Sequence, residues 1–297
     1  MMRYAKGWNR SVRPAKYHLA PRTAPADTVD MTDCAPPIFD QWQWGSCFGH
    51  GSAGAGTAAF AAAGIPLDWV MSPAGIYRIT RCVTRSRMGQ DPSTHPLSDT
   101  GSYPVDGFEA MEQWGIHPLG QVDAAHNTDC FGGAVNAEPV QAELESDGEH
   151  LLTGHQVSGS SGVASALSER YPVGFGIFVD TAFEEWNPAK GFLGAPVNPY
   201  DPNGGGHFIY TVGYTRAGLL AQDINALPER LRPTDSSIAA AICQNAAKLA
   251  SGARIGFGVN SWSSRWGLHG FFLYLDALLD DPQSGDTFAF EAKMRSV

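Results

Sequence analysis

The chain lacks a run of basic residues, a long apolar stretch and any paired cysteine motif, and each lack removes a class of function. Over 297 residues the formal net charge is −10 and the isoelectric point lies near 5.3. A surface of that sign repels nucleic acid and anionic membrane, so neither is expected as a partner. No window reaches the roughly 18 consecutive apolar residues of a membrane-spanning helix. Five cysteines stand at 34, 47, 82, 130 and 243, odd in number and irregular in spacing, with no Cys-x-x-Cys pair. This argues for reduced thiols, and against a disulfide framework or a structural zinc site. His126 and Cys130 are spaced to share a helix face, but two ligands make no metal centre. No metal or cofactor is expected.

The opening 30 residues are also short of apolar character. They are basic, carry Pro14, Pro21 and Pro25, and contain no apolar core of the kind a secretory signal needs. Residues 1–32 read as a surface tail, and 33–297 as one domain. Together with the reduced cysteines this points to a cytoplasmic protein; a component of a phage particle or a protein exported by a leaderless route fits the same signals.

What is present is the composition of a compact globule, with 43% hydrophobic and 17% charged residues. Residues 47–63, "CFGHGSAGAGTAAFAAA", read as a helix ended by Gly64-Ile65-Pro66. Its four glycines cost about 1 kcal/mol each relative to alanine, so burial must hold it, as a central helix. Ser72-Pro73 opens a second helix to Arg81, and 105–114 a third that stops at Gly115. A short helix over 160–170 precedes apolar runs at 171–179, 207–214, 255–262 and 270–275, each suited to a buried strand. Helices first and strands later predict an α+β fold of two lobes, 33–130 mainly helical and 131–297 mainly β. Residues 216–254 interrupt the strands as a helical insertion, with Ile238, Ile242, Ala246 and Leu249 on one face. It is a candidate lid, or a docking surface for a protein partner.

The stretch "QWQWGSCFGHGS" at 41–52 carries the chemistry. A thiol is a nucleophile only as thiolate, which a helix N-terminus and a neighbouring imidazolium favour; Cys47 opens the glycine-rich helix. His207, behind Asn203 and three glycines at the start of an apolar strand, supplies the imidazole. Asn260, ending another strand, supplies an amide to hold that ring in one tautomer. Cys47 is otherwise a small buried hydrophobe. His50, one turn beyond it on the same face, is the rival base, though without an orienting partner. Asp99 stands beside a Gly-Ser pair as either a turn residue or a specificity residue.

The order Cys, His, Asn resembles that of the papain-like cysteine peptidases. Gln41 stands six residues before Cys47, as that family's oxyanion glutamine does, and "GGHFIYTVGY" is similar to its histidine strand. "GVNSWSSRWGLHGFF" is similar to its asparagine block with both tryptophans, and "DTGSYPVDGFEAMEQWGI" to its substrate-edge stretch. The resemblance, to a leaderless bacterial or phage-type member, implies Cys47 as nucleophile, His207 as base then acid, Asn260 as orienting group and Gln41 as oxyanion donor. It further implies an antiparallel, β-barrel-like second lobe with the active-site cleft between the lobes, where Gly101, Ser102 and Gly206 line a polypeptide substrate and Trp262 shields the His–Asn contact. The implied reaction is peptide-bond hydrolysis through a thioester. The alternative is a papain-fold binding or structural component with weak activity, or activity restricted to amide or isopeptide bonds. Trp44 stands where papain has a disulfide cysteine. From Cys47 to His207 is 160 residues, somewhat more than the roughly 130–150 typical of the family.

Overall fold

The computed structural model describes residues 6–12, 15–19, 23–90, 97–116, 118 and 150–294. His126, Cys130 and the expected lobe boundary at 130/131 lie outside the described residues. Three helices come first: α1 (Cys47–Ala62), α2 (Pro73–Arg87) and α3 (Pro104–Trp114). Proline at the first helical position starts both α2 and α3, and the Ser72 hydroxyl accepts from the Gly75 N–H to cap α2.

The second half is built on strands β2 (His150–Gln156), β3 (Val173–Val179), β4 (Gly205–Arg216), β5 (Arg254–Val259), β6 (Phe271–Leu275) and β7 (Gly285–Met294). They form one antiparallel sheet in the order β2-β7-β3-β4-β5-β6, and a short β1 (Val29–Asp30) pairs with β4. Four of these strands coincide with the apolar runs in the sequence. β2, "HLLTGHQ", and β7, "GDTFAFEAKM", do not, because they are only partly buried and so carry polar residues throughout.

The two faces of the sheet bury separate cores. Phe208, Tyr210, Val212 and Tyr214 of β4 face α1 in the larger core, while Phe175, Ile177 and Val179 of β3 join Trp262 and Phe272 behind the sheet. Helix α1 sits in the larger core, buried on every side rather than along one stripe. Its glycines permit this: a Cβ at Gly51 would lie 2.8 Å from the Phe208 ring, and one at Gly54 2.5 Å from that of Tyr210. The glycines bring the helix of Cys47 against the strand of His207.

The 216–254 insertion holds two helices, α4 (Ala217–Gln222) and α5 (Ser236–Ala246), linked by 3₁₀ turns. Leu220, Leu227, Leu231, Ile242 and Ala246 are buried in the larger core. The Arg230 guanidinium donates to the carbonyls of Thr32, Ala35 and Pro36, and lies 5.1 Å over the Phe271 ring. The insertion is therefore fastened to the main body. Among the described residues no helix is long and apolar enough to cross a membrane.

Candidate active site

Cys47 is the first residue of α1 and is wholly buried. Phe48 behind it packs edge-on against Phe208 at 5.0 Å between ring centres, which ties the start of α1 to β4. On β4, His207 Nε2 lies 2.8 Å from Asn260 Oδ1. That same oxygen accepts the Ser261 backbone N–H at 2.8 Å, so it is identified as the acceptor and the amide cannot be turned round. His207 Nε2 therefore carries the hydrogen and Nδ1 presents a lone pair. Nδ1 is buried and has no hydrogen-bond partner among the described residues. The Trp262 ring stacks on the imidazole at 4.8 Å and 28°, covering the His–Asn contact from one side.

Gln41 is held at both ends. Its backbone N–H donates to the Ser261 carbonyl (2.8 Å), its side-chain oxygen accepts from the Ser261 hydroxyl, and its amide nitrogen donates to the Trp44 carbonyl (2.9 Å). A single dipeptide, Asn260-Ser261, thus orients the imidazole through one residue and the glutamine through the other.

Asp99, a turn or specificity residue from sequence alone, is a strut. Its carboxylate accepts the Gly45 N–H at 2.9 Å and the Tyr77 hydroxyl at 2.6 Å; that hydroxyl in turn accepts the Gly101 N–H at 3.1 Å. The cysteine loop and the Gly101-Ser102 edge are thereby fixed relative to each other. Tyr77 gave no sign of this role in the sequence, since a tyrosine on a helix face reads as packing. Arg81 lies 3.7 Å over its ring and donates to the Ser98 carbonyl.

Residues 6–11 do not wrap the outer surface; they run through the cleft. Ser102 donates to the Gly7 carbonyl (2.7 Å) and accepts from the Asn9 N–H (2.9 Å), a parallel bridge, while the Trp8 N–H donates to the Gly206 carbonyl (3.1 Å). Gly101 is required here: it sits at φ +78°, and a Cβ would fall 2.2 Å from the Gly7 oxygen. At one end of the segment Lys6 pairs with Glu184. At the other, Arg10 donates to the Pro282 carbonyl and the Ser11 hydroxyl accepts from the Val105 N–H at the start of α3. The physical reason is polar satisfaction, because an unpaired cleft edge leaves backbone groups that the segment completes.

Under this cover both Cys47 and His207 are held uncharged. Burial pushes the Cys47 thiol up to about 11, with the backbone amides of Phe208, Gly7 and Phe48 pulling the other way. Burial lowers His207 to about 4, opposed by the Asn260 hydrogen bond. His50, the rival base, bonds through Nδ1 to the Ser46 carbonyl at 2.9 Å within its own helix, edge-on to Phe39. Burial lowers it to about 4 as well.

With the geometry in view, comparison with solved structures is decisive for the fold. The chain is similar to xylellain, a cysteine protease from Xylella fastidiosa, with 18% identity over 97% of this chain and 96% of that one at a TM-score of 0.64. The fold is papain-like. Digestive procathepsin L2 proteinase from Tenebrio molitor larval midgut matches at 15% identity, 99% and 78% coverage and TM-score 0.59. The bromelain protease from Ananas comosus, in complex with the E64 inhibitor, matches at 12% identity, 91% and 100% coverage and TM-score 0.56. A scan against protein-family models and a search of curated proteins find no match. The papain-like fold is thus shared with cysteine proteases at the level of architecture, across both lobes and the cleft.

Proposed function

We propose that this chain is a cysteine peptidase acting on polypeptide substrates through a Cys47–His207–Asn260 site. One observation carries the reading: the Asn260 oxygen fixes the hydrogen on His207 Nε2, leaving the buried Nδ1 as the basic nitrogen. In the proposed reaction Nδ1 takes the thiol proton and the Cys47 sulfur attacks the substrate carbonyl carbon. Gln41 and the Cys47 backbone N–H receive the oxyanion. The C–N bond breaks as protonated His207 gives its proton to the leaving amine, which leaves a thioester. A water then loses a proton to His207 and adds to the acyl carbon, and the sulfur departs. Gly101, Ser102 and Gly206 line the substrate backbone, Trp262 keeps water from the His–Asn bond, and Asn260 orients the ring.

Substrate and residues 6–11 compete for the same backbone groups on Ser102 and Gly206, so turnover requires that segment to leave. Its departure readmits water to the site, and the start of α1 then favours the thiolate. The test is covalent labelling by iodoacetamide or an epoxide in the full chain carrying Trp8→Ala, which frees the cleft and uncovers Cys47, paired with turnover of a fluorogenic peptide panel. The expected result is labelling at Cys47 first and loss of all turnover in Cys47→Ala. First labelling at another cysteine, or undiminished turnover in that variant, overturns the assignment. Gln41→Ala is expected to keep a residue of activity, lower by about 10²–10³ in kcat.

A further inference from the structure

The thiol and the Gly101-Ser102 edge belong to different segments, and the two are linked through one hydroxyl. Tyr77 of α2 is fully buried. A Cβ at Gly49, two residues beyond Cys47 on α1, would lie 3.0 Å from the Tyr77 Cβ and 2.3 Å from the Pro73 carbonyl oxygen. The glycine thus lets α2 press directly on the helix that carries the thiol. From there the tyrosine hydroxyl donates to the Asp99 carboxylate at 2.6 Å and accepts the Gly101 N–H at 3.1 Å. The same carboxylate receives the Gly45 N–H on both oxygens, at 2.9 and 3.1 Å. The Arg81 guanidinium caps the ring at 3.7 Å. Its Nε donates to the Tyr77 carbonyl and its Nη1 to the carbonyl of Ser98, the neighbour of Asp99. Burial raises the phenol above the usual tyrosine range, so the hydroxyl keeps its proton and donates it to the carboxylate. Among the described residues the cysteines are free, so no disulfide joins the two segments.

We propose that Tyr77 is a positioning residue for the reaction: its hydroxyl holds the substrate edge and the turn before Cys47 at one spacing, so that a carbonyl bound on the edge meets the thiol. This role rests on the peptidase reading above, in which Ser102 pairs with the substrate backbone and Cys47 attacks. The hydroxyl holds Gly101 directly and Gly45 through Asp99, and it takes no part in bond breaking. A displacement of about 1 Å between nucleophile and carbonyl costs about a hundredfold in rate. A substrate held by its backbone on the edge feels such a displacement, whereas an acyl group too short to reach the edge does not. Losing the hydroxyl leaves the exposed Asp99 carboxylate to water and to Gly45. The buried Gly101 N–H is left without its acceptor, so the edge is the part that shifts.

The test uses the full chain carrying Trp8→Ala, which clears the cleft, and adds Tyr77→Phe, which keeps the ring and removes the hydroxyl. Two substrates are compared: a fluorogenic tripeptide amide, which pairs with the edge, and p-nitrophenyl acetate, whose acyl group is too short to reach Ser102. For the tripeptide, Tyr77→Phe is expected to lower kcat by about tenfold to a hundredfold with KM within about threefold. Hydrolysis of p-nitrophenyl acetate stays within about twofold. Asp99→Ala should give the same split, and Asp99→Asn, which keeps an acceptor oxygen, should hold tripeptide turnover within about threefold of the parent. Tyr77→Phe combined with Asp99→Ala should be no slower than the slower single variant, because both cut one link. Equal losses on the two substrates, which a general loosening of the fold would produce, overturn the proposal. An unchanged tripeptide rate or additive losses in the double variant do the same. If the Trp8→Ala chain cleaves neither substrate and Cys47 resists labelling, the peptidase reading fails on its own. Hydrogen exchange in the chain with Trp8 in place then decides the link. Tyr77→Phe should speed exchange of the Gly45 and Gly101 amides together by about tenfold or more, and a change at Gly101 alone or at neither overturns it.

Discussion

Two regions that flank the sheet and the first three helices are held in opposite ways. The 216–254 insertion, the obvious candidate for a moving part by sequence, brings its own apolar side chains to the core and is pinned by Arg230 to three carbonyls. Residues 6–11 bring one apolar side chain, Trp8, and otherwise hold on by hydrogen bonds across the cleft. The magnitudes separate the two. Burying an indole gains about 5 kcal/mol, and each hydrogen bond adds about 1 kcal/mol. Ordering six residues costs roughly 6–12 kcal/mol, so the segment sits near balance. A segment in that position can be displaced by a competing chain; the insertion cannot.

The largest test of this contrast is the reactivity of Cys47. Trp8→Ala should raise its rate of iodoacetamide labelling at pH 7 by about a hundredfold, since a thiol near 11 is about one ten-thousandth thiolate at that pH whereas a free one is a few per cent. An unchanged rate would show that the segment does not control access.

A second test sharpens the same point in the unaltered chain. Because the covered thiol lies high, labelling should climb about tenfold per pH unit from 6 to 9. A rate already level below pH 7 would show that a thiolate–imidazolium pair persists beneath the cover.

For the insertion, Arg230→Ala should lower stability by about 2–3 kcal/mol in urea unfolding yet leave Cys47 labelling unchanged. Faster labelling in that variant would break the contrast by coupling the insertion to the cleft. The smallest effect concerns pH and the two buried histidines. His50 and His207 stay neutral in the fold down to about pH 4, whereas an unfolded histidine takes a proton near 6.5. The unfolded chain therefore binds more protons in that window, and stability falls as pH drops from about 6.5 toward 4. His50→Gln should flatten the slope, with a difference of about 2 kcal/mol at pH 4.5 read from urea midpoints. An unchanged slope would show that His50 takes up no additional proton on unfolding.

Much of the architecture was legible because it depends on local signals. Proline starts α2 and α3, the four glycines mark α1 as a central helix, and continuous apolar runs locate β3 to β6. β2 and β7 were not legible, because a strand with one partly wet face and interspersed polar residues resembles a loop. Of the proposed site, Cys47, His207 and Asn260 stood out by type and order, and Gln41 by its place in the family resemblance. Asp99, Tyr77 and Ser261 did not, since each acts through a partner far away in the chain and its own neighbours say nothing of it. Trp8 and Asp286 are the extreme case, 278 residues apart and joined by one hydrogen bond.

The sequence by itself determined the two-lobed α+β class, the helix that carries the thiol, the strands that carry the imidazole and the amide, and the net negative charge. These follow from composition, turn chemistry and periodicity, which are properties of neighbouring residues. The tertiary structure decided which nitrogen of His207 holds the hydrogen, how Asp99 and Tyr77 brace the cysteine loop, and that residues 6–11 fill the cleft. Each of these depends on a polar group meeting a partner from a distant segment, and no local pattern encodes such a meeting.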